Sequence, residues 1–503
     1  MLRLMTRRSV LRSGAASAAA AQADTRPNVL FLMLDQFRVD ALGANSKLPF
    51  RTPNLDRLAN SGANFSHMFV QSPVCVPSRV SHFTGRYPHS HKNRVNYTPC
   101  DPREVFLQRR LRDAGYTTGS VGKLHYYPAT AEHARSTGWD EVRLDDGVGH
   151  TDRFSDYVKW RNANDPRRDV PYLGTAPGGK NPFRGAIDYE FTPTAWTGRE
   201  TRTMLRRFAS SARPFFLYSS FFKPHAPHTV PVPYDSMFDG VEVPRPESTT
   251  REQVERLPLP LQKLILRGKP RPAVDRERLQ WIWRSYAAGV AMVDREIGLI
   301  LDELRGAGKW DNTIVVLSSD HGDQLMEHGF EGKNAFFESS VRIPFFLHWP
   351  ARIAAARYDH LVETLDLVPT LLDLCRLPTP ANVQGRSLAP LLLGRAYRPR
   401  DAVFSENVIP EVITSGSLDM AYEQGKGIAG IRHPDAKMTR TKDWKLNYYP
   451  GYEGELYDLR NDPGETRNVR RDRPEVVREM KDRTLDWMIT ADEPDQIAPR
   501  WLL

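Results

Sequence analysis

The apolar residues of this chain fall into short continuous runs, each closed by a cluster of polar or charged side chains. Residues 28–34, Asn-Val-Leu-Phe-Leu-Met-Leu, end in Asp35-Gln36. Residues 117–121 end in Gly122-Lys123-Leu124-His125, 215–222 in Lys223-Pro224-His225, and 313–319 in Asp320-His321-Gly322-Asp323. A run that is apolar at nearly every position predicts a strand buried on both faces. Between these runs the period lengthens to that of a helix. Residues 53–62, 105–114, 199–211 and 281–305 carry apolar positions at helical spacing, with Leu55 and Leu58 facing inward in the first. The alternation predicts an α/β fold, a large mostly parallel sheet sandwiched by helices. In such sheets ligands bind beyond the carboxyl ends of the strands. Asp35, Lys123, His125, His225, Asp320 and His321 are therefore expected to meet at one rim.

Two stretches break the rhythm. Residues 140–194 are rich in Gly, Asp and Pro, and 241–274 in Pro, Arg and Leu; both are predicted as surface excursions bordering the site. Near Gly394 the pattern shortens. Residues 402–449 look strand-like, and Asn461-Asp462-Pro463-Gly464 leads to a final helix at 474–489. This predicts a catalytic domain over 24–396 and a smaller C-terminal α+β subdomain over 397–503.

The first 23 residues read as an address. Thr6-Arg7-Arg8-Ser9-Val10-Leu11-Arg12 has the twin-arginine form, a weakly hydrophobic stretch follows, and Ala21-Gln22-Ala23 offers a small-x-small cleavage site. A periplasmic or secreted protein is expected, with its mature chain starting near Asp24. No run approaches the roughly 18 apolar residues of a membrane span. The formal charge of +9 is spread over 70 basic and 61 acidic residues, so it favours anionic partners only weakly. Zinc-finger spacing and basic-aromatic ladders are both missing, and nucleic acid is not expected as a partner. Three cysteines make no disulfide scaffold; Cys100 and Cys375 could pair or stay separate. The pattern is silent on oligomeric state.

Chemistry concentrates in Cys75-Val76-Pro77-Ser78-Arg79, which gathers a thiol, a hydroxyl and a fixed cation. A nucleophile that attacks an oxyanion needs such a cation to orient it and damp its charge. Asp35, Gln36, Asp320 and His321 add two carboxylates, an amide oxygen and an imidazole at two predicted strand ends. A set dominated by oxygen suits a hard divalent cation, calcium before magnesium or manganese. One aspartate at a strand end is ordinarily a helix cap; two clusters at equivalent ends favour a metal.

The form C-x-P-S-R, together with Thr84-Gly85-Arg86, resembles the signature of the type I sulfatases of the alkaline phosphatase superfamily. The resemblance runs from Asn28 to the C-terminal helix and takes in Thr364-Leu365-Asp366-Leu367-Val368-Pro369-Thr370 and Leu456-Tyr457-Asp458-Leu459. It implies that a formylglycine-generating enzyme converts Cys75 to formylglycine, whose hydrate is the nucleophile and joins the metal ligands. Held by the metal and Arg79, that hydrate attacks the sulfur of a sulfate ester and expels the alcohol. Deprotonation of its second hydroxyl then releases sulfate. The resemblance gives Lys123 a contact to the ester oxyanion and His125 the second deprotonation. It gives His225 the leaving alcohol, Lys333 the sulfate, and Asn96 a substrate contact. His228 and His328 are read as structural.

One position departs from the pattern. Gln36 stands where many sulfatases have a second aspartate, and an Asp-Gln pair is also seen in choline sulfatases and phosphonate monoester hydrolases. The rival reading within the fold is therefore a phosphonate monoester or phosphodiester hydrolase. From another class, the rival is an inactive anion-binding module or a thiol enzyme with Cys75 unmodified. Sulfated glycans, aryl sulfates and alkyl sulfates all remain open as substrates.

Overall fold

Asn28–Asp35 forms β1, buried at every position near the middle of a nine-stranded sheet. The computed structural model describes residues 26–45, 48–96, 98–146, 155–177, 180–243, 251–266, 276–408 and 435–491; the export signal expected over 1–23 lies outside them. The other strands of this sheet are β2 Ala63–Phe69, β3 Thr117–Gly122, β4 Glu141–Leu144, β5 Phe215–Pro224, β6 Thr313–Ser319, β7 Arg342–His348, β8 Ala356–Tyr358 and β9 Val362–Glu363. They lie in the order β4-β3-β5-β1-β6-β7-β2-β8, with β9 also paired to β2. β7 is antiparallel to both β6 and β2, and every other pairing is parallel. The sheet is mostly parallel, as expected, with one reversed strand.

Strand alternation explains the two core layers. Val29, Phe31 and Met33 pack on one face with Phe216, Tyr218, Ile314 and Val316. Leu30, Leu32 and Leu34 pack on the other with Leu217, Val315 and Leu317. Helices Cys75–Thr84 and Leu367–Leu374 cover the first face; helices Pro53–Ser61, Pro193–Ala209 and Arg276–Gly306 cover the second. Each fully buried aliphatic or aromatic side chain contributes about 1.5–3 kcal/mol. That burial fixes the register of β1 between β5 and β6, pairing Met33 with both Ser220 and Ser318. The polar residues after these strands consequently emerge side by side.

Three expectations change in detail. The 140–194 stretch supplies β4, the edge strand of the sheet, and helix Asp156–Asn164. β4 is four residues long and buries only Val142 and Leu144, too few alternations to stand out from a loop. The helix expected from 199 begins at Pro193, where the Thr192 side chain accepts from Ala195 N–H and proline occupies the first turn. The 241–274 stretch holds helices Arg251–Glu255 and Leu259–Leu266. The C-terminal region is an antiparallel sheet of β10 Val403–Val408, β11 Asp435–Arg440, β12 Trp444–Tyr448 and β13 Glu455–Asp458. Helix Pro474–Thr490 closes one face of it, packing Val477 and Met480 on Leu446 and Leu456.

Candidate active site

Cys75 is the first residue of a helix buried at all ten of its positions. Val74, which precedes it, makes no side-chain cap. Asn96 supplies one from outside, its Oδ1 accepting from Val76 N–H at 3.0 Å. The helix ends at Gly85, whose φ of +68° is left-handed; a Cβ there would lie 2.9 Å from Val383 Cγ1. The glycine of the Thr84-Gly85-Arg86 motif is thus a structural stop, and Arg86 beyond it pairs with Glu104. Ser78 is structural too, its hydroxyl donating to the carbonyl of Asp320.

Two kinds of group surround the Cys75 sulfur. Lys333 Nζ lies 2.8 Å from Sγ and Lys123 Nζ 3.9 Å. His321 Nε2 lies 3.2 Å from Sγ, with Asp35 Oδ1 and Asp320 Oδ1 3.9 and 3.7 Å from that nitrogen. Burial would raise the thiol pKa, but Lys123 and Lys333 bring it below its ordinary value. Burial likewise opposes ionisation of Asp35, and Lys123, His225, Arg79 and Lys333 together hold it well below the usual carboxylate range. His321 donates Nδ1–H to Gly322 O at 2.9 Å, and burial lowers its pKa to about 4. Its Nε2 therefore presents a neutral lone pair.

The acidic groups suit a cation. One ligand atom each from Asp35, Cys75, Asp320 and His321 lies within 4.8 Å of all the others. Calcium–oxygen distances of about 2.3–2.6 Å let one ion span that spread. Asp35 Oδ2 is taken by Lys123 and by Arg79 Nη2 at 3.4 Å, whereas Asp35 Oδ1 is buried without a hydrogen-bond partner. Gln36 sits at φ +65° and donates its amide N–H to Asp323, which leaves its buried Oε1 also without a partner. Orphaned buried oxygens on two adjacent residues are what a cation would satisfy.

Arg79 is fully buried and points into this scaffold. It donates to Asp320 Oδ2 at 2.8 Å, Lys123 O at 2.7 Å, Ser220 Oγ at 2.9 Å and Tyr218 OH at 3.1 Å. Asp320 Oδ1 accepts backbone N–H groups from Gln36 and His321, each at 3.0 Å. His225 donates Nδ1–H to Ala226 O at 2.6 Å, and its Nε2 accepts from Lys333 Nζ at 3.0 Å. His125 adopts φ +57°, and its backbone N–H is held by Asp146 Oδ1. Both of its ring nitrogens are buried without a partner, and burial with Lys123 and Arg79 keeps its pKa well below the ordinary value.

Every residue expected at the rim lies in this connected region. Asn96 reaches it through a helix terminus, and His125 lies two residues beyond Lys123 on the same segment. Four further participants escaped the sequence reading: Tyr218 and Ser220, which enclose Arg79; Asp323, which orients Gln36; and Asp146, which holds His125. Polar Tyr218 and Ser220 within the apolar run of β5 were a usable signal. His228 and His328 are buried and serve the packing, His328 stacking on Phe337 with ring centroids 3.6 Å apart. All three cysteines are free thiols.

Comparison with known proteins agrees with the geometry. A family model described as Sulfatase matches residues 27–377. An arylsulfatase of Clostridium perfringens is 30% identical over 412 residues, 77% of this chain and 82% of that protein. The multifunctional alkaline phosphatase superfamily protein PehA of Trinickia caryophylli is 27% identical, covering 93% of this chain and 96% of that one. Among solved structures, the phosphonate monoester hydrolase of Agrobacterium radiobacter superposes with a TM-score of 0.78 at 26% identity, over 93% of this chain and 96% of that one. The chain belongs to the sulfatase family, sulfuric ester hydrolases of the alkaline phosphatase superfamily.

Proposed function

We propose that this sulfatase cleaves sulfate esters with an oxygen nucleophile generated from Cys75, beside a divalent cation. The observation that carries the reading is the mixed setting of Cys75 Sγ. Lys333 and Lys123 lie 2.8 and 3.9 Å from it, His225 bonds Lys333, and the sulfur shares a cluster of ligand atoms with Asp35, Asp320 and His321. Asp35, Gln36, Asp320, His321 and the group at position 75 would hold the cation, calcium before magnesium or manganese. Sulfur is the one soft donor in that otherwise hard set, and oxidation to formylglycine by a formylglycine-generating enzyme would replace it with oxygen. When present, the cation supplies Lewis acidity and the aldehyde hydrate supplies the attacking oxygen.

The remaining chemistry belongs to the side chains. Lys123 and Lys333 hold the anionic oxygens of the ester, where charge accumulates as the S–O bond breaks. Arg79 acts from behind, keeping Asp35 and Asp320 apart and ionised. His225 has Nδ1–H committed to a carbonyl and a neutral Nε2 that accepts from Lys333 Nζ, its pKa lowered by burial and Lys333, so it orients the leaving alcohol and relays to it a proton from Lys333. His125, neutral and unpartnered, is placed to take the proton that completes turnover. Asn96 contacts substrate through its amide nitrogen while its oxygen caps the helix.

A second reading has an observation behind it. Gln36 gives the site one carboxylate fewer, and the Agrobacterium radiobacter phosphonate monoester hydrolase points the same way, to phosphonate monoester or phosphodiester hydrolysis. The deciding measurement is kcat/KM for an aryl sulfate against the matching aryl phosphonate monoester, with Cys75→Ala as the blank. A ratio well above one supports the sulfatase reading; a ratio well below one overturns it. The twin-arginine motif supports export to the periplasm or beyond, and no helix among the described residues is long and apolar enough to cross a membrane. The shift from the mixed to the antiparallel sheet supports domains over 24–396 and 397–503.

A further inference from the structure

The loop between β6 and β7 carries Lys333, and three residues of its second half are bonded by the C-terminal sheet. Asn407, on β10, donates from Nδ2 to Asn334 O at 3.1 Å. Lys445, on β12, donates to Phe336 O at 2.7 Å. Glu465, in the turn beyond β13, accepts from Glu338 N–H at 2.6 Å and from Lys445 at 2.7 Å, while Lys445 lies 3.0 Å from Glu338 Oε1. The exposures of Asn407, Lys445 and Glu465 are 4%, 0% and 3%. Gly332, just before Lys333, is held from within the catalytic domain, Gln324 N–H bonding Gly332 O at 2.6 Å. His328, on the same loop, meets Gly464 O and Glu465 O at 3.1 and 3.2 Å.

Lys333 is thus flanked by a catalytic-domain bond at Gly332 and a C-terminal bond at Asn334. A lysine side chain has four rotatable bonds and no intrinsic direction, so its reach is set by where the backbone places its Cα. Asn334, immediately after it, sits at φ +83°, a left-handed conformation that costs about 1 kcal/mol outside glycine unless the surroundings hold it. Asn407 bonds the carbonyl of that residue. A buried lysine between two carboxylates adds little net stability over an apolar core, which makes a purely stabilising purpose for Lys445 a poor explanation.

We infer that Asn407, Lys445 and Glu465 are positioning residues for Lys333, so that the C-terminal sheet sets the reach of the sulfate-binding lysine. The inference rests on the role given to Lys333 above. It implies that the C-terminal region is part of the catalytic apparatus, although among the described residues it supplies none of the groups bonded to Cys75 Sγ.

The test is a double-mutant cycle on the full, matured enzyme. Asn407→Ala and the isosteric Asn407→Asp, neither of which keeps the N–H donor, are made with Lys333 present and in a Lys333→Ala background. kcat/KM for an aryl sulfate and inhibition by inorganic sulfate are read in each. With Lys333 present, both variants lower kcat/KM about tenfold and weaken sulfate inhibition by a similar factor. In the Lys333→Ala background neither variant has a further effect. The inference fails if both variants stay within about twofold of the parent, or if the tenfold loss persists without Lys333. A Lys333→Ala enzyme as active as the parent would instead overturn the role of Lys333 itself, an outcome visible before the cycle is closed.

Discussion

Replacing Arg79 with methionine removes a fixed cation that touches both Asp35 and Asp320, at 3.4 and 2.8 Å, with no exposure on either side. With charge centres roughly 4 Å apart and an effective dielectric near 20, each attraction amounts to about 4 kcal/mol before desolvation. Methionine fills much of the volume but cannot satisfy Lys123 O, Ser220 Oγ or Tyr218 OH, which accept from Arg79. Removing one partner of a buried ion pair costs about 3–5 kcal/mol net, and that is the expected loss in the metal-free protein. Arg79→Lys should fall between, because one ammonium cannot reach acceptors on four separate groups. The assay is guanidinium unfolding of protein with Cys75 unmodified, followed by tryptophan fluorescence, first in EDTA and then in Ca2+. Arg79 and the cation neutralise the same two carboxylates, so Ca2+ should recover more stability in the variant than in the parent. For the parent, Ca2+ at a hundredfold excess over Kd adds about 2.7 kcal/mol. An Arg79→Met protein within about 1 kcal/mol of the parent in EDTA would refute the reasoning. A stability gap that holds constant or widens as Ca2+ is added would refute it equally.

Other expectations follow from single contacts. Asn96→Ala should lower stability by about 1 kcal/mol through loss of the cap on Val76 N–H, and Asn96→Asp should restore it, both read from unfolding midpoints. Gly122→Ala would place a Cβ 2.0 Å from Ser220 O at a residue with φ +90°, so β3 must shift and carry Lys123 with it. At least tenfold in kcat/KM should be lost with far-UV circular dichroism preserved; unchanged kinetics would contradict the close packing of β3 on β5. His91 and His228 are buried with pKa values pushed down to about 3, chiefly by burial. Their unfolded forms bind more protons between pH 3 and about 6.5, so the stability that these two histidines contribute should fall as pH falls through that window and be flat above it. The loss is on the order of 4 kcal/mol for each, and replacing His91 with asparagine should flatten the slope of unfolding midpoint against pH.

The local features of this protein were legible in its sequence because they are encoded in side-chain period. Runs apolar at nearly every position and only five to eight residues long read as strands buried on both faces, and the polar residues directly after them emerge at the strand ends. That reasoning led to the expectation of Asp35, Lys123, His125, His225, Asp320 and His321 at one rim without knowledge of a single long-range contact. Residues 75–79 were legible as chemistry, and the asparagine, glycine and proline positions marked the turns. Contacts between groups far apart in the chain leave no such period. Lys333 stands in a loop and was assigned to the sulfate only through the family resemblance; the fold is what carries its ammonium to Sγ of a cysteine 258 residues away. The same holds for Asn96 capping a helix it does not belong to, and for Asp323 turning the carbonyl of Gln36 inward. It holds also for Asn407 and Lys445, which reach across from a second sheet to the loop beside Lys333. β4 stayed hidden for the opposite reason: an edge strand of four residues buries too little to imprint a pattern. Burial periodicity is a property of the sequence alone, whereas the hydrogen bonds that aim each catalytic group exist only once two distant segments are packed together.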